Sequence, residues 1–350
     1  MADFSVSGLQ IAGISCSLPK QEISNFDYDL LEESEKKLLV KTIGVETRRV
    51  ASLGTTTTDL AIDAAEKLFH KTNWKKESID LIVVVTQSRD YYLPSVGPIV
   101  QNKLGLSKKC MAFDVGLGCS GYVYGLSIVA SMLKGSNWKK AVLLAGDVST
   151  ISCSYNDKST YPLFGDAGSA TFIENTDSEN KWIFNLNSDG SGEDAIKITH
   201  GCLRNLPRED SFIEKERAPG VTRADLHLAL DGLEVFNFSI TTIPKSIKQF
   251  LQNYKLDHEI IDVFVMHQAN LLMNETIRKK LKFKTDQTLY SIKKYGNTSS
   301  ASIPLTLCSN EGKIAKGDNM LLSGFGVGLS WGNAYIELGK KPTTIISDFD

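Results

Sequence analysis

The sequence predicts an α/β fold made of two similar halves. Short aliphatic runs alternate with segments of helical periodicity, and part of this pattern recurs about 180 residues later. Alternation of this kind is typical of a mostly parallel sheet covered by helices. A chain of 350 residues is also long enough to bury a large hydrophobic core. No hinge-like linker interrupts the pattern, so we expect one compact body with two similar layers.

Each half contains its own predicted strands and helices. In the first half the strands are LIVVV (81–85), MAFDV (111–115) and AVLLAG (141–146), and the helices lie near 57–71, 95–104 and 119–134. In the second half the strands are DVFVM (262–266) and NMLLSGF (319–325), and the helices lie near 232–253, 268–281 and 298–316. The segment from about 175 to 225 is rich in Asp, Ser, Gly and Arg. This composition favours a strand-and-loop connection.

Two matched segments point to an internal duplication. Ile79-Asp80, followed by LIVVVTQS, resembles Ile261-Asp262, followed by VFVMHQAN, which lies 182 positions later. LLAG at 143–146 resembles LLSG at 321–324, which lies 178 positions later. Short aliphatic strands also resemble each other by chance, so the matches alone leave the duplication open.

Composition and charge exclude several classes of protein. Lys and Arg total 39 against 41 Asp and Glu, giving a net charge of −2, whereas nucleic-acid-binding proteins usually carry a basic excess. The N-terminus lacks the basic region of a signal peptide, and no apolar run reaches the ~18 residues of a membrane span. Six scattered cysteines without a C-x-x-C pair argue against a disulfide scaffold or a thiolate metal site. We therefore expect a cytoplasmic protein with reduced thiols.

The first candidate functional residue is Cys119, in FDVGLGCSGYVYGLS (113–127). It lies where a strand and a Gly-rich turn meet the predicted start of an apolar helix. The positive end of the helix dipole favours a thiolate there and lowers the pKa of the thiol. The glycines around it allow a substrate carbonyl to approach the N–H of Cys119. The alternative is that Cys119 is a small hydrophobic residue of the core.

Two further candidates come from the second half. His267 ends the strand DVFVM, at the kind of strand end where α/β proteins bind ligands; it could equally be a structural histidine. Asn297 lies in the turn YGNTSSASIP, where a helix N-cap is the alternative. Asn297 lies 178 positions after Cys119, so the repeat aligns the two residues. Halves packed about a pseudo-twofold axis would bring all three residues to one cleft.

The division that follows is an N-terminal half, 1–175, with the cysteine, and a C-terminal half, 176–350, with the histidine and asparagine. A Cys-His-Asn set is a known arrangement of nucleophile, base and orienting group. The chain lacks the C-G-S-C-W segment of papain-like proteases. Acyl-thioester chemistry therefore fits these residues better than proteolysis.

Five motifs in order resemble one family. FDVGLGCSGYVYGLS, FGDAGSA, MHQAN, YGNTSSAS and GFGVGLSWG are similar to those of β-ketoacyl-[acyl-carrier-protein] synthase III, of the thiolase superfamily. The resemblance implies a five-layered αβαβα fold and a homodimer with a tunnel ending at the cysteine. It also implies decarboxylative Claisen condensation of a Cys-bound acyl group with malonyl-ACP, without a metal or prosthetic group.

The resemblance also implies a role for each site residue. Cys119 is the acyl acceptor, and His267 and Asn297 bind the malonyl thioester carbonyl and stabilise the enolate. Phe325 shields the site beside the leaving carboxylate. The oxyanion hole combines the N–H of Cys119 with one from the loop around Val327, a position where the family usually has Gly.

Substrate-binding residues follow from the same resemblance. Leu93, in YYLPS, corresponds to a position that enters the partner subunit's acyl tunnel, and a leucine there leaves room for a longer or branched acyl group. The alternative is that Tyr91 or Tyr92 fills that space. Lys158 stands where an Arg that contacts CoA is common, and Asn270 ends the MHQAN motif and is implied to contact substrate.

The departures from the family pattern concern the carrier of the acyl group. Leu38 and Thr42 stand where a Trp and an Arg often hold the CoA adenine, and Asn237 and Leu272 replace basic docking residues. The first donor is therefore an acyl-CoA or an acyl carrier protein, in fatty-acid or specialised acyl-chain synthesis. The basic run at 278–284 could steer an acidic carrier protein, or be a solvated helix end.

Two other functions remain open from the sequence. An acyltransferase on the same scaffold would pass the acyl group to a hydroxyl or amine, with His267 as general base. A non-catalytic partner subunit is disfavoured, because Cys119, His267 and Asn297 are all present.

Overall fold

The computed structural model describes residues 2–349 and contains two large sheets at its centre. The helices are α1 (Glu33–Ile43), α2 (Thr57–Thr72), α3 (Val96–Lys103), α4 (Gly121–Lys134), α5 (Gly232–Asn253), α6 (Leu271–Leu281), α7 (Ile292–Tyr295) and α8 (Ser302–Ser309). The strands are β1 (Ala2–Ser7), β2 (Leu9–Leu18), β3 (Glu22–Ser24), β4 (Thr47–Arg49), β5 (Leu81–Val85), β6 (Met111–Val115), β7 (Lys140–Asp147), β8 (Ala167–Asn175), β9 (Lys181–Ser188), β10 (Ile196–Lys197), β11 (Lys215–Ala218), β12 (Val221–Arg223), β13 (Ala229–Leu230), β14 (Val263–Met266), β15 (Thr288–Leu289), β16 (Asn319–Gly326), β17 (Ser330–Glu337) and β18 (Thr343–Asp348).

The two six-stranded sheets repeat one topology. Their strand orders are β18-β2-β8-β7-β5-β6 and β1-β9-β17-β16-β14-β15. In both sheets the second, third and fourth strands are antiparallel neighbours, and the fourth, fifth and sixth are parallel neighbours. β5 and β14, the strands that the sequence repeat aligned, occupy the same place in their sheets. The repeated order explains why these two segments look alike.

Side chains on both faces of each sheet are buried, which produces five layers. Leu81, Val83 and Val85 of β5 face α4 and α8, which lie between the two sheets, while Ile82 and Val84 face α2 and α3. The outer face of the second sheet packs against α5 and α6. Because successive residues of a strand point to opposite faces, each central strand needs apolar residues at every position. The layers are therefore helices, sheet, helices, sheet, helices, as the αβαβα prediction requires.

The terminal strands cross between the halves. β1 pairs with β9 in the second sheet, and β18 pairs with β2 in the first. The proposed division between residues 175 and 176 falls after β8, in the connection to β9. It stays a prediction.

Several predicted element bounds hold and others are wrong near the site. α5 spans 232–253 as predicted, whereas the helix predicted at 298–316 is only α8, preceded by a 3₁₀ turn at 299–301. The helices predicted from 119 and 268 begin at Gly121 and Leu271. Residues before each of these helices make buried hydrogen bonds to distant parts of the chain, namely Ser120 to Ser330, Gln268 to the Ser291 N–H, and the Ser300 N–H to Asp147.

Candidate active site

One cavity of about 530 Å³ brings together most of the predicted site residues. Its wall includes Cys119, His267, Asn297, Asn270, Phe325 and Val327. The two predicted substrate contacts that lie outside this cavity are Leu93 and Lys158. The cysteine comes from the first half, and His267 and Asn297 come from the second, as the repeat argument expects.

Cys119 lies in the turn between β6 and α4. It is 7% exposed, and the Gly121 N–H donates to the Gly118 carbonyl at 2.7 Å to close the turn. On the facing strand, a Cβ atom at Gly326 would lie 2.9 Å from Cys119 Sγ. Gly326 also has a φ of +157°, where side chains are rarely tolerated. Only glycine therefore lets the end of β16 approach the sulfur this closely.

The expected lowering of the Cys119 pKa is wrong. Burial raises the pKa of the thiol to about 11, and the charge of Asp147 adds to this effect. Hydrogen bonds from the Val327 N–H, the Ser299 hydroxyl and the N–H of Cys119 itself lower the pKa only in part. The helix dipole argument failed because α4 begins two residues later and because desolvation of a thiolate outweighs a partial charge. The resting residue is a neutral thiol.

The predicted oxyanion hole would use the backbone N–H groups of Val327 and Cys119, and it stays a prediction. Both N–H groups lower the pKa of the Cys119 thiol. The Val327 carbonyl accepts a 2.7 Å hydrogen bond from Ser330 Oγ, which holds the loop in place. Because the donor at position 327 is a backbone group, valine in place of glycine leaves it intact.

His267 is a buried, neutral imidazole. The backbone N–H of His267 donates to the Ser323 carbonyl at 2.8 Å, and the ring Nδ1 lies 2.7 Å from Ser302 Oγ. Desolvation lowers the pKa of His267 to about 3, although a hydrogen bond to the Ser299 carbonyl opposes this shift. The ring of Phe325 meets it edge to face, with centroids 5.7 Å apart. A neutral ring of this kind is a hydrogen-bond partner and a weak base.

Asn297 is fixed by four hydrogen bonds. Its N–H donates to the Leu163 carbonyl at 2.9 Å, and its carbonyl accepts from the Gly165 N–H at 3.0 Å. The side-chain Oδ1 accepts from the Ser299 N–H at 2.9 Å, and Nδ2 donates to the Ala269 carbonyl at 3.4 Å. The carboxamide is thus oriented by both the turn that carries it and the loop after β14.

The sequence analysis missed two buried residues beside Cys119. Asp147, at the end of β7, lines the cavity, and burial raises the pKa of its carboxyl. Ser299 also lines the cavity, and its hydroxyl lowers the pKa of both Cys119 and Asp147. Asp147 ends a buried strand just as His267 does, so the strand-end rule could have found it. Ser299 is one of several small polar residues in its turn and carried no distinguishing signal.

The remaining predicted substrate contacts are spread more widely. Asn270 caps α6, with its Oδ1 accepting from the Met273 N–H at 2.8 Å. Lys158 lies beside Gly220 and pairs with the Gly220 carbonyl through its backbone N–H. Leu93 is 85% exposed, on the surface that carries Tyr91 and Tyr92. Its predicted place is the tunnel of a second subunit, so its role stays a prediction.

The cavity wall is mostly apolar away from the sulfur. The apolar residues of the wall include Leu163, Phe164, Leu228, Leu230, Val235, Phe236 and Met273. Among residues 2–349, no group of three or more His, Cys, Asp or Glu side chains is placed to hold a metal ion. None of the helices in that range is both long enough and apolar enough to cross a membrane.

Comparisons with known proteins agree with this geometry. A family model described as 3-oxoacyl-[acyl-carrier-protein (ACP)] synthase III matches residues 113–190, and the model of its C-terminal part matches residues 251–338. A β-ketoacyl-[acyl-carrier-protein] synthase III of Clostridium perfringens is 33% identical over 333 residues, which cover 94% of this chain and 99% of the relative. The chain belongs to the β-ketoacyl-[acyl-carrier-protein] synthase III family. One of its relatives, from Aliarcobacter butzleri, is 32% identical over 326 residues, which cover 92% of this chain and 95% of the relative.

Solved structures of β-ketoacyl-ACP synthases show the same fold. The 3-oxoacyl-(acyl-carrier protein) synthase of Burkholderia xenovorans superposes with a TM-score of 0.89 at 31% identity, covering 98% of both chains. A 3-oxoacyl-(acyl-carrier-protein) synthase III superposes with a TM-score of 0.89 at 34% identity, covering 94% of this chain and 99% of the other. The thiolase-like fold and the condensing-enzyme prediction are confirmed. As a β-ketoacyl-ACP synthase III, the protein is an acyl-transferring, ACP-dependent enzyme.

Proposed function

We propose that the enzyme transfers an acyl group from an acyl-CoA or acyl-ACP donor to Cys119 and condenses it with malonyl-ACP. The observation that carries this proposal is a largely apolar cavity whose wall includes Cys119, with the backbone N–H groups of Val327 and Cys119 beside the sulfur. A thioester formed there would have its carbonyl carbon next to two preorganised donors. Donors of this kind stabilise the oxyanion of a tetrahedral intermediate.

The second step uses the neutral side chains of His267 and Asn297. We propose that they donate hydrogen bonds to the thioester carbonyl of malonyl-ACP. As the bond to the carboxylate breaks and carbon dioxide leaves, the electron pair moves toward that oxygen and forms an enolate. The enolate carbon then bonds to the acyl carbon on Cys119, and the carbon–sulfur bond breaks to release the cysteine as a thiolate. Because His267 is neutral, its hydrogen bond strengthens only as charge develops.

Phe325 favours the loss of carbon dioxide. Its ring is 1% exposed and packs against His267. An apolar ring next to the malonyl carboxylate would leave that charge poorly solvated, whereas neutral carbon dioxide is not penalised. We therefore assign Phe325 a shielding role in decarboxylation.

Carrier and substrate contacts complete the proposal. We assign Asn270 and Lys158 to the binding of the carrier arm, and Leu93 to the acyl tunnel of the partner subunit in a homodimer. At the end of α6, Arg278 is paired with Glu275 at 2.8 Å, so it is not free for a carrier. Lys279 remains exposed there, and exposed cations of this kind can steer an acidic carrier protein.

The cytoplasm is the proposed site of action, because Cys119 must be a free thiol to accept an acyl group. All six cysteines are unpaired in the structure, the state that a reducing cytoplasm maintains. The acyltransferase alternative is not favoured. It needs His267 as a general base, and a base with a pKa of about 3 is too weak to take a proton from a hydroxyl or amine near pH 7.

The test is to incubate the protein with a panel of acyl-CoA and acyl-ACP donors and measure its intact mass. We expect an acyl adduct on Cys119, and release of carbon dioxide with a 3-oxoacyl product once malonyl-ACP is added. Transfer of the acyl group to an amine or hydroxyl without carbon dioxide release would overturn the condensation proposal.

A further inference from the structure

The ring of His267 can bind a substrate oxygen as a donor only if its proton lies on the nitrogen that faces the cavity. The ring is neutral, because desolvation lowers the pKa of His267 to about 3, and a neutral imidazole carries one proton, on either Nδ1 or Nε2. Nδ1 lies 2.7 Å from Ser302 Oγ in the protein interior. Nε2 is therefore the nitrogen left for a substrate, and it can donate a hydrogen bond only when it carries the proton.

Ser302 decides the tautomer because its hydroxyl has a single acceptor. Ser302 is the first residue of α8 and is 1% exposed, and a hydroxyl buried to this extent is nearly always hydrogen-bonded. Within residues 2–349, Ser302 Oγ has one hydrogen-bond partner, Nδ1 of His267. The hydroxyl proton therefore has one acceptor within reach, the lone pair of Nδ1. A hydroxyl that donates to Nδ1 leaves the ring proton on Nε2.

The backbone of Ser302 holds its hydroxyl in place. The Ser302 N–H donates to the Ser299 carbonyl, and the Ser302 carbonyl accepts a 2.7 Å hydrogen bond from Thr306 Oγ1. Thr306 Oγ1 also lies 2.7 Å from Ser291 Oγ, and this contact ties the first turn of α8 to the residue before α7. The hydroxyl is thus presented to the ring from a buried helix start whose position is fixed.

The backbone of His267 is fixed as well, so rotation of the ring is the remaining freedom. Its N–H donates to the Ser323 carbonyl at 2.8 Å, and its carbonyl accepts from Asn274 Nδ2 at 3.0 Å. A half-turn of the ring about the Cβ–Cγ bond exchanges Nδ1 with a carbon atom and breaks the bond to Ser302. The same hydrogen bond therefore fixes both the orientation and the tautomer of the ring.

We infer that Ser302 is a positioning residue, whose hydroxyl donates to Nδ1 of His267 and so holds the ring proton on Nε2. This inference rests on the proposed function, in which His267 donates a hydrogen bond to the thioester oxygen. The Nε2–H group is then in place before charge develops on that oxygen, and a donor placed in advance needs no reorganisation during the reaction.

The alternative partner of the ring is the Ser299 carbonyl, which acts to raise the pKa of His267. A carbonyl can only accept a hydrogen bond. As the partner of Nδ1 it would place the ring proton on Nδ1, and Nε2 would become an acceptor that cannot stabilise an enolate. The position of the proton therefore separates the two arrangements.

The first test locates that proton by long-range proton–nitrogen NMR correlations of ¹⁵N-histidine-labelled protein at pH 7. The chain has five histidines, and the signals of His267 are those that disappear in His267→Gln. We expect the proton on Nε2 in the wild-type protein. A wild-type ring protonated on Nδ1 overturns the inference, and this result does not depend on how well any Ser302 variant folds.

Three serine variants extend the same measurement. Ser302→Ala removes the donor, so the proton should move at least in part to Nδ1. Ser302→Thr keeps a hydroxyl and should keep the proton on Nε2. Ser309→Ala is the matched control, because the Ser309 hydroxyl bonds the Leu305 carbonyl at 2.8 Å at the other end of α8. A Ser302→Ala ring that keeps the proton wholly on Nε2 would also overturn the inference.

The second test separates the two chemical steps. Ser302→Ala should slow carbon dioxide release from malonyl-ACP by about tenfold or more, and by less than the about 10²–10³ expected for loss of the donor itself. Single-turnover acylation of Cys119 should change little, and Ser302→Thr should restore carbon dioxide release. Equal slowing of both steps in Ser302→Ala, without rescue by threonine, would indicate a merely structural residue and overturn the inference.

A double variant tests whether Ser302 acts through His267. In a His267→Ala background, adding Ser302→Ala should cause no further loss of carbon dioxide release, because the ring that it positions is gone. A further loss as large as in the wild-type background would overturn the inference. If the wild-type protein neither accepts an acyl group nor releases carbon dioxide, the proposed function fails, while the NMR measurement still decides the tautomer.

Discussion

The hydroxyl of Ser300 donates a 2.9 Å hydrogen bond to Oδ2 of Asp147, although the two residues are 153 positions apart in the chain. This contact joins the turn before α8 to the end of β7. Through its other oxygen, the same carboxylate accepts the Gln87 N–H after β5. A single buried side chain thus links both halves of the molecule next to Cys119.

Cys119 should be the one thiol that is acylated. It is the cysteine on the described cavity wall, and the N–H groups of Val327 and Cys119 lower the pKa of its thiol. Cys119→Ser should lose both the adduct and condensation, because a hydroxyl is far less acidic than a thiol. Intact mass and peptide mapping after incubation with acyl donors measure this. Cys153→Ser is the matched control and should still be acylated, whereas acylation of Cys119→Ala protein would remove the assignment.

His267→Ala and Asn297→Ala should impair condensation more than self-acylation. Both side chains are assigned to the enolate step, and loss of one donor to a developing oxyanion typically costs about 10²–10³ in rate. Single-turnover acylation and carbon dioxide release are measured separately for each variant. The division of roles would be abandoned if the two steps fell by the same factor in both variants.

Gly326→Ala should block acylation without unfolding the protein. The new Cβ would lie 2.9 Å from Cys119 Sγ and 2.5 Å from its Cβ, so the acyl group would have no room beside the sulfur. Gly312→Ala is the matched control, because nothing lies within 4 Å of a Cβ at that position. Adduct formation is measured for both. A wild-type rate of acylation in Gly326→Ala would contradict this prediction, because β16 would then have to shift away from the sulfur.

The buried His267 should make the protein less stable in mild acid. Its pKa is about 3 in the folded state against an ordinary value of 6.5, so between these pH values the unfolded chain binds one more proton. Stability is therefore lost as pH falls below 6.5, by up to about 1.4 kcal/mol per pH unit. Urea unfolding of His267→Gln at pH 7 and pH 5 should show a smaller loss between the two pH values than wild type does.

The exposed His70 supplies the control for that experiment. His70→Gln should show the same loss of stability between pH 7 and pH 5 as the wild-type protein. If His267→Gln and His70→Gln behave alike, His267 does not carry the pH dependence.

Leu93 should set acyl-chain length across a dimer interface. Leu93→Phe is expected to overfill the tunnel of the partner subunit and cost about 1–3 kcal/mol for long acyl chains, with little change for acetyl. The measurement is kcat/KM for acetyl, butyryl and octanoyl donors. Tyr92→Phe is the matched control for a neighbouring ring, and a chain-length profile unchanged by Leu93→Phe would exclude Leu93 from the tunnel.

The sequence by itself predicted the α/β class and the main chemistry-bearing residues. LIVVV and DVFVM could be predicted as strands, because a strand buried on both faces needs apolar residues at nearly every position and both segments have this composition. Cys119, His267 and Asn297 could be found because each stands at a turn or strand end beside a recognisable motif. The strands β2 and β8 were missed, although they are neighbours inside the first sheet, because Gly and Ser interrupt their apolar pattern.

Only the tertiary structure decided the protonation and the connections of the site. The pKa of Cys119 is governed by desolvation and by Asp147, Val327 and Ser299, which come from other parts of the chain. The helix dipole could be inferred from local sequence, but the loss of water around a buried thiol could not. The Ser299 N–H bonds Asn297 within the same turn, whereas His267 comes to Ser299 only in the folded chain. Local sequence specifies which groups are present, whereas burial and long-range contacts fix where their protons lie.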